Sequence, residues 1–279
     1  MNECSQRGNS PCRGDWRLLL CLLLNLMLSL ALPVHIAAEE GIEGKTITLV
    51  ADSWCPYNCE DSSPNPGFMV EIAAYAFARA GYQIEYINVP WIRALHGAKS
   101  GVYDAIVGVD EQESLGLVLP ESPLAEARYT FYVREGSNWQ YEGLESLSQV
   151  TLGVLRGYAY GDLRRDYITP NAGNSRLIQS ISNDGGLAQN IKKVLSGRID
   201  VLVEDQSVIQ SYVHQHPQAT GLRKAGVAHT EALYIGFSKR NPLAQEFAQI
   251  MDDGLSDLKS RKQLSKILVK YGLAPLADK

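Results

Sequence analysis

The chain has 279 residues, 45% of them apolar and 20% charged, with a formal net charge of −5. That length can build two lobes of about a hundred residues or more, each with its own core. The acidic balance gives no electrostatic reason to seek nucleic acid or an anionic lipid surface.

Residues 1–38 read as a secretory signal that is cleaved. Arg13 and Arg17 precede a leucine-rich stretch from Leu18 to Leu32, and Ile36-Ala37-Ala38 offers small residues before Glu39. The apolar run is about fifteen residues, short for a membrane span; the alternative is an uncleaved N-terminal anchor. The segment carries Arg7, Arg13 and Arg17 against Glu3 and Asp15, so the rest of the chain is one unit more negative than the whole. Removing it leaves Cys55 and Cys59. In an exported protein, Cys55-Pro-Tyr-Asn-Cys59 can close a small disulfide loop. On the chain-entropy account such a loop contributes about 2 kcal/mol, and its larger role is to fix the shape of one loop. The spacing excludes a redox Cys-x-x-Cys motif, and two thiols without companion ligands make a poor zinc site, so no metal is expected.

Residues 45–51 read as a first strand, followed at once by the loop Asp52-Ser-Trp-Cys-Pro-Tyr57. After a turn-rich tract at 61–67, Phe68, Ile72, Tyr75 and Ala76 at helical spacing predict a helix over 68–80, stopped by Gly81. A second strand follows at 83–88, and Pro90 and Trp91 open a helix that runs to Lys99. Next comes Ser100-Gly-Val-Tyr-Asp-Ala-Ile-Val107, a phrase that returns as Ser196-Gly-Arg-Ile-Asp-Val-Leu-Val203. In each copy the glycine can take the left-handed conformation that stops a helix. The short apolar run after it reads as a parallel strand buried on both faces. Asp104 and Asp200 are expected to satisfy backbone groups rather than touch a ligand.

Between the copies, residues 128–134 alternate as a strand, 135–149 are polar and irregular, and 151–155 restart the pattern with a strand. A helix over 160–167, a turn-rich patch at 169–175 and a helix over 186–195 follow. Residues 232–237 form another strand, and 242–271 carry helical patterning. Strand, helix and strand in alternation predict an α/β fold with mostly parallel sheets. The two phrases end in Gly108-Val-Asp110 and Glu204-Asp205, at the carboxyl ends of strands that border the ligand crevice in open α/β sheets. Two lobes with a ligand between them are therefore expected. If strands near Thr130 and Tyr234 are paired hinge strands, lobe one comprises 39–130 and 233–279, and lobe two comprises 131–232.

In this order and spacing the chain resembles the periplasmic solute-binding proteins of family 3, the polar amino-acid-binding type that serves ABC transporters. The matching words are Asp52-Ser-Trp-Cys-Pro-Tyr57, Gly67-Phe-Met-Val-Glu71, Trp91 ten residues before Gly101, and the first Ser-Gly phrase. The second half adds Leu152-Gly-Val-Leu-Arg-Gly157, the second phrase through Glu204-Asp205, and Tyr234-Ile-Gly-Phe-Ser-Lys239. The resemblance implies a type II, two-lobe periplasmic binding protein-like fold that closes on a small-molecule solute. It also implies a monomer in the periplasm with a membrane permease as partner, and no cofactor. Carried onto this sequence, it places Asp52 and Trp54 on the loop after the first strand and Trp91 as an aromatic wall. Gly108 and Asp110 would face the cleft from lobe one, and Gly157, Tyr158, Glu204 and Asp205 from lobe two. For Trp54 and Trp91 the alternative is core packing, and for Asp205 a surface carboxylate.

One departure bears on the ligand. Amino-acid binders of this family follow the first buried strand with Thr-x-x-Arg, whose guanidinium clamps the ligand carboxylate. Here the stretch reads Asp110-Glu-Gln-Glu-Ser-Leu115, and the family's Gly-Thr in lobe two is Gly157-Tyr158. Asp52, Asp110, Glu204 and Asp205 beside two tryptophans suit a cation or an amine, while Arg93, Arg128 and Arg156 leave an anion clamp from another direction open. Gly153-Val-Leu-Arg-Gly157 lacks the dinucleotide spacing, and no Gly-x-Ser-x-Gly or His-Glu-x-x-His is present. The chain is expected not to be an enzyme. The alternatives are a dehydratase-like enzyme using Glu204 or Asp205 as general acid, and a ligand-sensing module acting in trans.

Overall fold

The two copies of the Ser-Gly phrase take equivalent places in the structure, a computed structural model that describes residues 45–182 and 185–273. The predicted signal segment, 1–38, lies outside the described residues. The first block is β1 (Lys45–Ala51), α1 (Phe68–Arg79), β2 (Tyr82–Asn88), α2 (Trp91–Ser100) and β3 (Ala105–Val109). A two-residue β4 (Leu117–Val118) and the long β5 (Ala125–Arg134) lead into the second block. That block holds β6 (Leu152–Leu155), a helical stretch over 161–171, β7 (Ile178–Ile181), α3 (Gly186–Leu195) and β8 (Val201–Asp205). Then come α4 (Gln206–Gln215), β9 (Leu222–Ser238), α5 (Ala244–Ser260) and α6 (Leu264–Lys270).

The nine strands form one sheet in the order β2-β1-β3-β9-β5-β8-β6-β7, with β4 pairing β9. The order is nearly a mirror: β1 lies between β2 and β3, and β6 lies between β7 and β8, all in parallel. Between the blocks, β5 and β9 run antiparallel to each other, from Ala125↔Leu233 to Arg134↔Leu222. β9 pairs onward with β3, and β5 with β8. The fold is α/β, and the expected strands near Thr130 and Tyr234 are paired.

The repeated phrase does the same work twice. Gly101 caps α2 at φ 84° and Gly197 follows α3 at φ 70°, conformations that a residue with Cβ adopts only under strain. Asp104 then accepts from the backbone N–H (2.9 Å) and hydroxyl (2.8 Å) of Thr48 in β1. Asp200 accepts from the N–H of Thr151 (2.8 Å), the residue before β6. Each carboxylate thus ties its phrase to the first strand of its block, as expected for groups that serve the backbone. The strands they introduce are apolar because helices and neighbouring strands cover both faces: all five residues of β8 are buried, as are four of five in β3.

The structure differs from the sequence reading at the edges. β7 and β4 were not expected, and β9 begins ten residues before the predicted strand. Its first part, Leu222–Glu231, is half-exposed and mixed in polarity, so it shows neither alternation nor a solid apolar run.

Candidate functional site

The loop after β1 is held in shape by bonds of its own. A disulfide joins Cys55 and Cys59, and Trp54 and Asn58 pair across the loop through backbone hydrogen bonds, with Trp54 N–H donating to Asn58 O at 2.6 Å. α1 then uses its own unsatisfied N–H groups to hold the loop, Phe68 donating to Pro56 O (2.9 Å) and Met69 to Tyr57 O (3.1 Å). The result presents Asp52, Trp54, Tyr57 and Asn58 as one rigid ledge, all of them buried.

This ledge forms one side of a hollow at the carboxyl ends of the strands. The hollow encloses about 340 Å³ of empty space, part of it open to solvent. It is lined by Asp52, Trp54, Asn58, Trp91, Val107 and Gly108 from the first block, with Glu113 from the turn after β3. From the other side come Tyr129 of β5, Tyr158 and Ala159 after β6, and Glu231 of β9. Among the described residues that line it there is no arginine or lysine. Arg93, Arg128 and Arg156 are exposed and none contributes to the wall.

The two blocks meet here directly. The Tyr158 hydroxyl donates to Asp52 Oδ2 at 2.8 Å, and Trp54 Nε1 donates to Glu204 Oε1 at 3.0 Å. Trp54 is stacked on Tyr57 (4.5 Å between centroids), Tyr129 lies parallel at 6.2 Å, and Tyr158 stands edge-on to both Trp54 and Trp91. Gly157, at φ 91°, comes so close to α2 that a Cβ there would fall 2.6 Å from Ile92 Cγ1.

The structure brings five of the nine residues expected at the site to the hollow: Asp52, Trp54, Trp91, Gly108 and Tyr158. The other four lie off it, for physical reasons. Asp205 is the N-cap of α4, its Oδ1 accepting from Ser207 N (2.7 Å) and Val208 N (3.0 Å) while Oδ2 accepts from Arg128 N (2.7 Å). Glu204 is turned inward, with one oxygen taking both the Trp54 indole and its neighbour's backbone N–H. Asp110 folds back to accept from Glu113 N at 2.6 Å, closing the turn after β3. Gly157 gives only backbone contact, against Ile92.

Glu113, Glu231, Tyr129 and Asn58 line the hollow and were not singled out in the sequence. Glu113 had a partial signal: it lies in the stretch 110–115, which takes the place of the resembling family's Thr-x-x-Arg. Its Oε1 accepts from Trp91 Nε1 at 3.0 Å. Burial, then the neighbouring Asp110 carboxylate, pushes its carboxyl up to about 8. Burial lifts Asp110 too, and Glu231 raises it further. Glu204, more deeply buried, is pushed up to about 8, chiefly by loss of water, against the hydrogen bonds that hold it down. Below about pH 8 the Glu113 and Glu204 carboxyls are mostly protonated, and a cation placed among them would favour their ionised form.

No cluster of potential metal ligands and no helix long and apolar enough to cross a membrane occurs among the described residues. A family model described as bacterial extracellular solute-binding proteins, family 3, matches residues 47–274. Among curated proteins, none matches the chain. Solved structures share its fold. One is from work on glutathione import through GshT and the cystine ABC importer TcyBC of Streptococcus mutans. It superposes with a TM-score of 0.70 at 18% identity, over 84% of this chain and 98% of that one. A mutant of ArgBP from T. maritima gives 0.67 at 18% identity, covering 82% and 95%. A histidine kinase sensor domain similar to periplasmic binding proteins gives 0.68 at 19%, covering 82% and 97%. These neighbours have the two-lobe, type II binding-protein architecture expected from the sequence.

Proposed function

The chain belongs to the bacterial extracellular solute-binding proteins of family 3, and on that premise we propose that it captures a small cationic or amine-bearing solute for an ABC-type permease. The observation that carries the reading is the lining of the hollow. Asp52, Glu113 and Glu231 stand beside Trp54, Trp91, Tyr129 and Tyr158 with no arginine or lysine among them. The stretch after β3, where the family's amino-acid binders carry a guanidinium for the ligand carboxylate, has no arginine here and contributes Glu113 to the wall.

The mechanism is closure about a hinge. Lobe one is 39–130 with 233–279, lobe two is 131–232, and β5 and β9 cross between them as the hinge strands. A solute touching Asp52 and Glu113 on one side and Tyr158 on the other gains most when the lobes are together, so it shifts the population toward the closed form. The Tyr158–Asp52 and Trp54–Glu204 bonds latch that form. A cleavable signal delivers the protein to the periplasm, and it acts there as a monomer.

A thermal-shift screen tests the reading. A bound ligand at a hundred times its dissociation constant adds about 2.7 kcal/mol of stability. Diamines, guanidinium compounds and other organic cations are expected to raise the melting temperature, and organic acids to leave it unchanged. Stabilisation by acids alone would overturn the cationic assignment.

A further inference from the structure

Asn58 is only 1% exposed, yet its Oδ1 has no hydrogen-bond partner. Its orientation is set by the other end of the amide, where Nδ2 donates to Asp52 O at 2.8 Å. Oδ1 lies beside Gly108, which also lines the hollow, 3.5 Å from where a Cβ there would fall. A buried acceptor without a donor is destabilising and rare, and it points to a group that arrives with the ligand.

Three donors of the wall are already committed. Trp54 Nε1 is given to Glu204, Trp91 Nε1 to Glu113 and the Tyr158 hydroxyl to Asp52. Beside the Tyr129 hydroxyl, the hollow still offers acceptor capacity: Asn58 Oδ1 and, once Glu113 is ionised, the remaining lone pairs of its carboxylate. Aromatic faces alone attract any cation, with or without N–H groups. Orphaned acceptors distinguish between them, because a cation that cannot donate leaves Oδ1 unsatisfied in a closed site.

We propose that Asn58 and Glu113 make the hollow selective for N–H-bearing cations, primary ammonium or guanidinium, over quaternary ammonium of the same size and charge. The proposal rests on the cationic reading of the site and narrows it. Asn58 supplies a neutral acceptor and Glu113 a charged one. Discrimination therefore comes from hydrogen bonding, while net attraction comes from the carboxylates.

The test uses a volume-matched pair, tert-butylammonium and tetramethylammonium, with agmatine as a larger N–H probe, measured by calorimetric or thermal-shift titration on the full exported chain. The expected result is that tert-butylammonium and agmatine bind at least tenfold tighter than tetramethylammonium. Asn58→Leu should lose that preference while keeping its affinity for tetramethylammonium. Asn58→Asp, which restores an oxygen but not the Nδ2 donor, should keep the preference; if both variants fail alike, Asn58 acts by holding the loop and the proposal is wrong. Equal binding of the volume-matched pair by the unmodified protein also overturns it, while leaving the cationic reading intact. Failure of every cation, with binding of carboxylates instead, overturns the cationic reading and this proposal together.

Discussion

The first and second blocks share a strand order, a repeated phrase and a carboxylate-bearing strand end, yet the two ends behave in opposite ways. After β8 a helix starts at once, and its free N–H groups consume Asp205. After β3 the chain makes a turn instead. Asp110 closes that turn, and Glu113 three residues on is left to face the hollow with lone pairs to spare. The lesson is that a carboxylate at a strand end is available to a ligand only when local backbone donors do not claim it first. Position in the topology nominates a residue; hydrogen-bond demand decides its use.

The contrast can be broken most forcefully at Asp205. Asp205→Ala leaves three backbone N–H groups without their acceptor and should cost about 3 kcal/mol, read as a lower denaturation midpoint. It should leave the ranking of ligands unchanged; a changed ranking would mean that the second block also reads the solute.

Next comes pH. A cation binds the ionised form of Glu113, whose carboxyl sits at about 8 beside Asp110 and Glu231, with Lys99 the nearby cation that opposes them. Binding below that pH therefore releases a proton, and affinity should rise about tenfold per pH unit up to roughly pH 8 before levelling. Titrations in buffers of different ionisation enthalpy would show the proton; a flat profile from pH 6 to 8 would contradict the role of Glu113. Stability should move the other way in the ligand-free protein. Glu113 and Glu204 have folded values raised above the ordinary 4.5. Their contribution is complete below that ordinary value and is lost as pH rises through about 8, so the free protein weakens over this window.

The paired phrases provide a finer comparison. Asp104 accepts from Thr48 N, Thr48 Oγ1 and Asn241 Nδ2, whereas Asp200 holds only Thr151 N among the bonds seen. Asp104→Ala should cost about 2 kcal/mol and Asp200→Ala about 1 kcal/mol, on the scale of one net hydrogen bond each with extra for the buried donors. Equal losses would show that the two copies are equivalent after all. The disulfide is comparable in stability: Cys55→Ser with Cys59→Ser should cost about 2 kcal/mol at most for so short a loop. Its larger effect should be on affinity, because Trp54 and Asn58 lose their fixed ledge.

Much of this was legible in the sequence. The apolar runs at 105–109 and 201–203 announce central strands, and the spacing of Phe68, Ile72 and Ala76 announces the helix that packs beneath the loop. β7 was not legible because four residues with only Ile178 fully buried carry no period. β9 hid its first half because that part, half-exposed and paired only with β5, has no pattern of its own. At the site, Trp91, Asp52 and Tyr158 were readable from their places after strands. Glu231 was not, since it lies in that concealed part of β9. Asn58 reads as an ordinary turn former inside a cysteine loop; only the unpaired Oδ1 sets it apart. The capping role of Asp205 was not legible because a helix cap and a ligand carboxylate occupy the same place in sequence.

The most direct test of the account is isothermal titration of agmatine at pH 8 into the protein and into Glu113→Gln, which keeps an oxygen for Trp91 but removes the charge. The account predicts measurable binding to the unmodified protein and a loss of about tenfold or more in the variant, the scale of a charge-assisted hydrogen bond. Equal affinities, or an unmodified protein that ignores agmatine and binds glutamate, would contradict it.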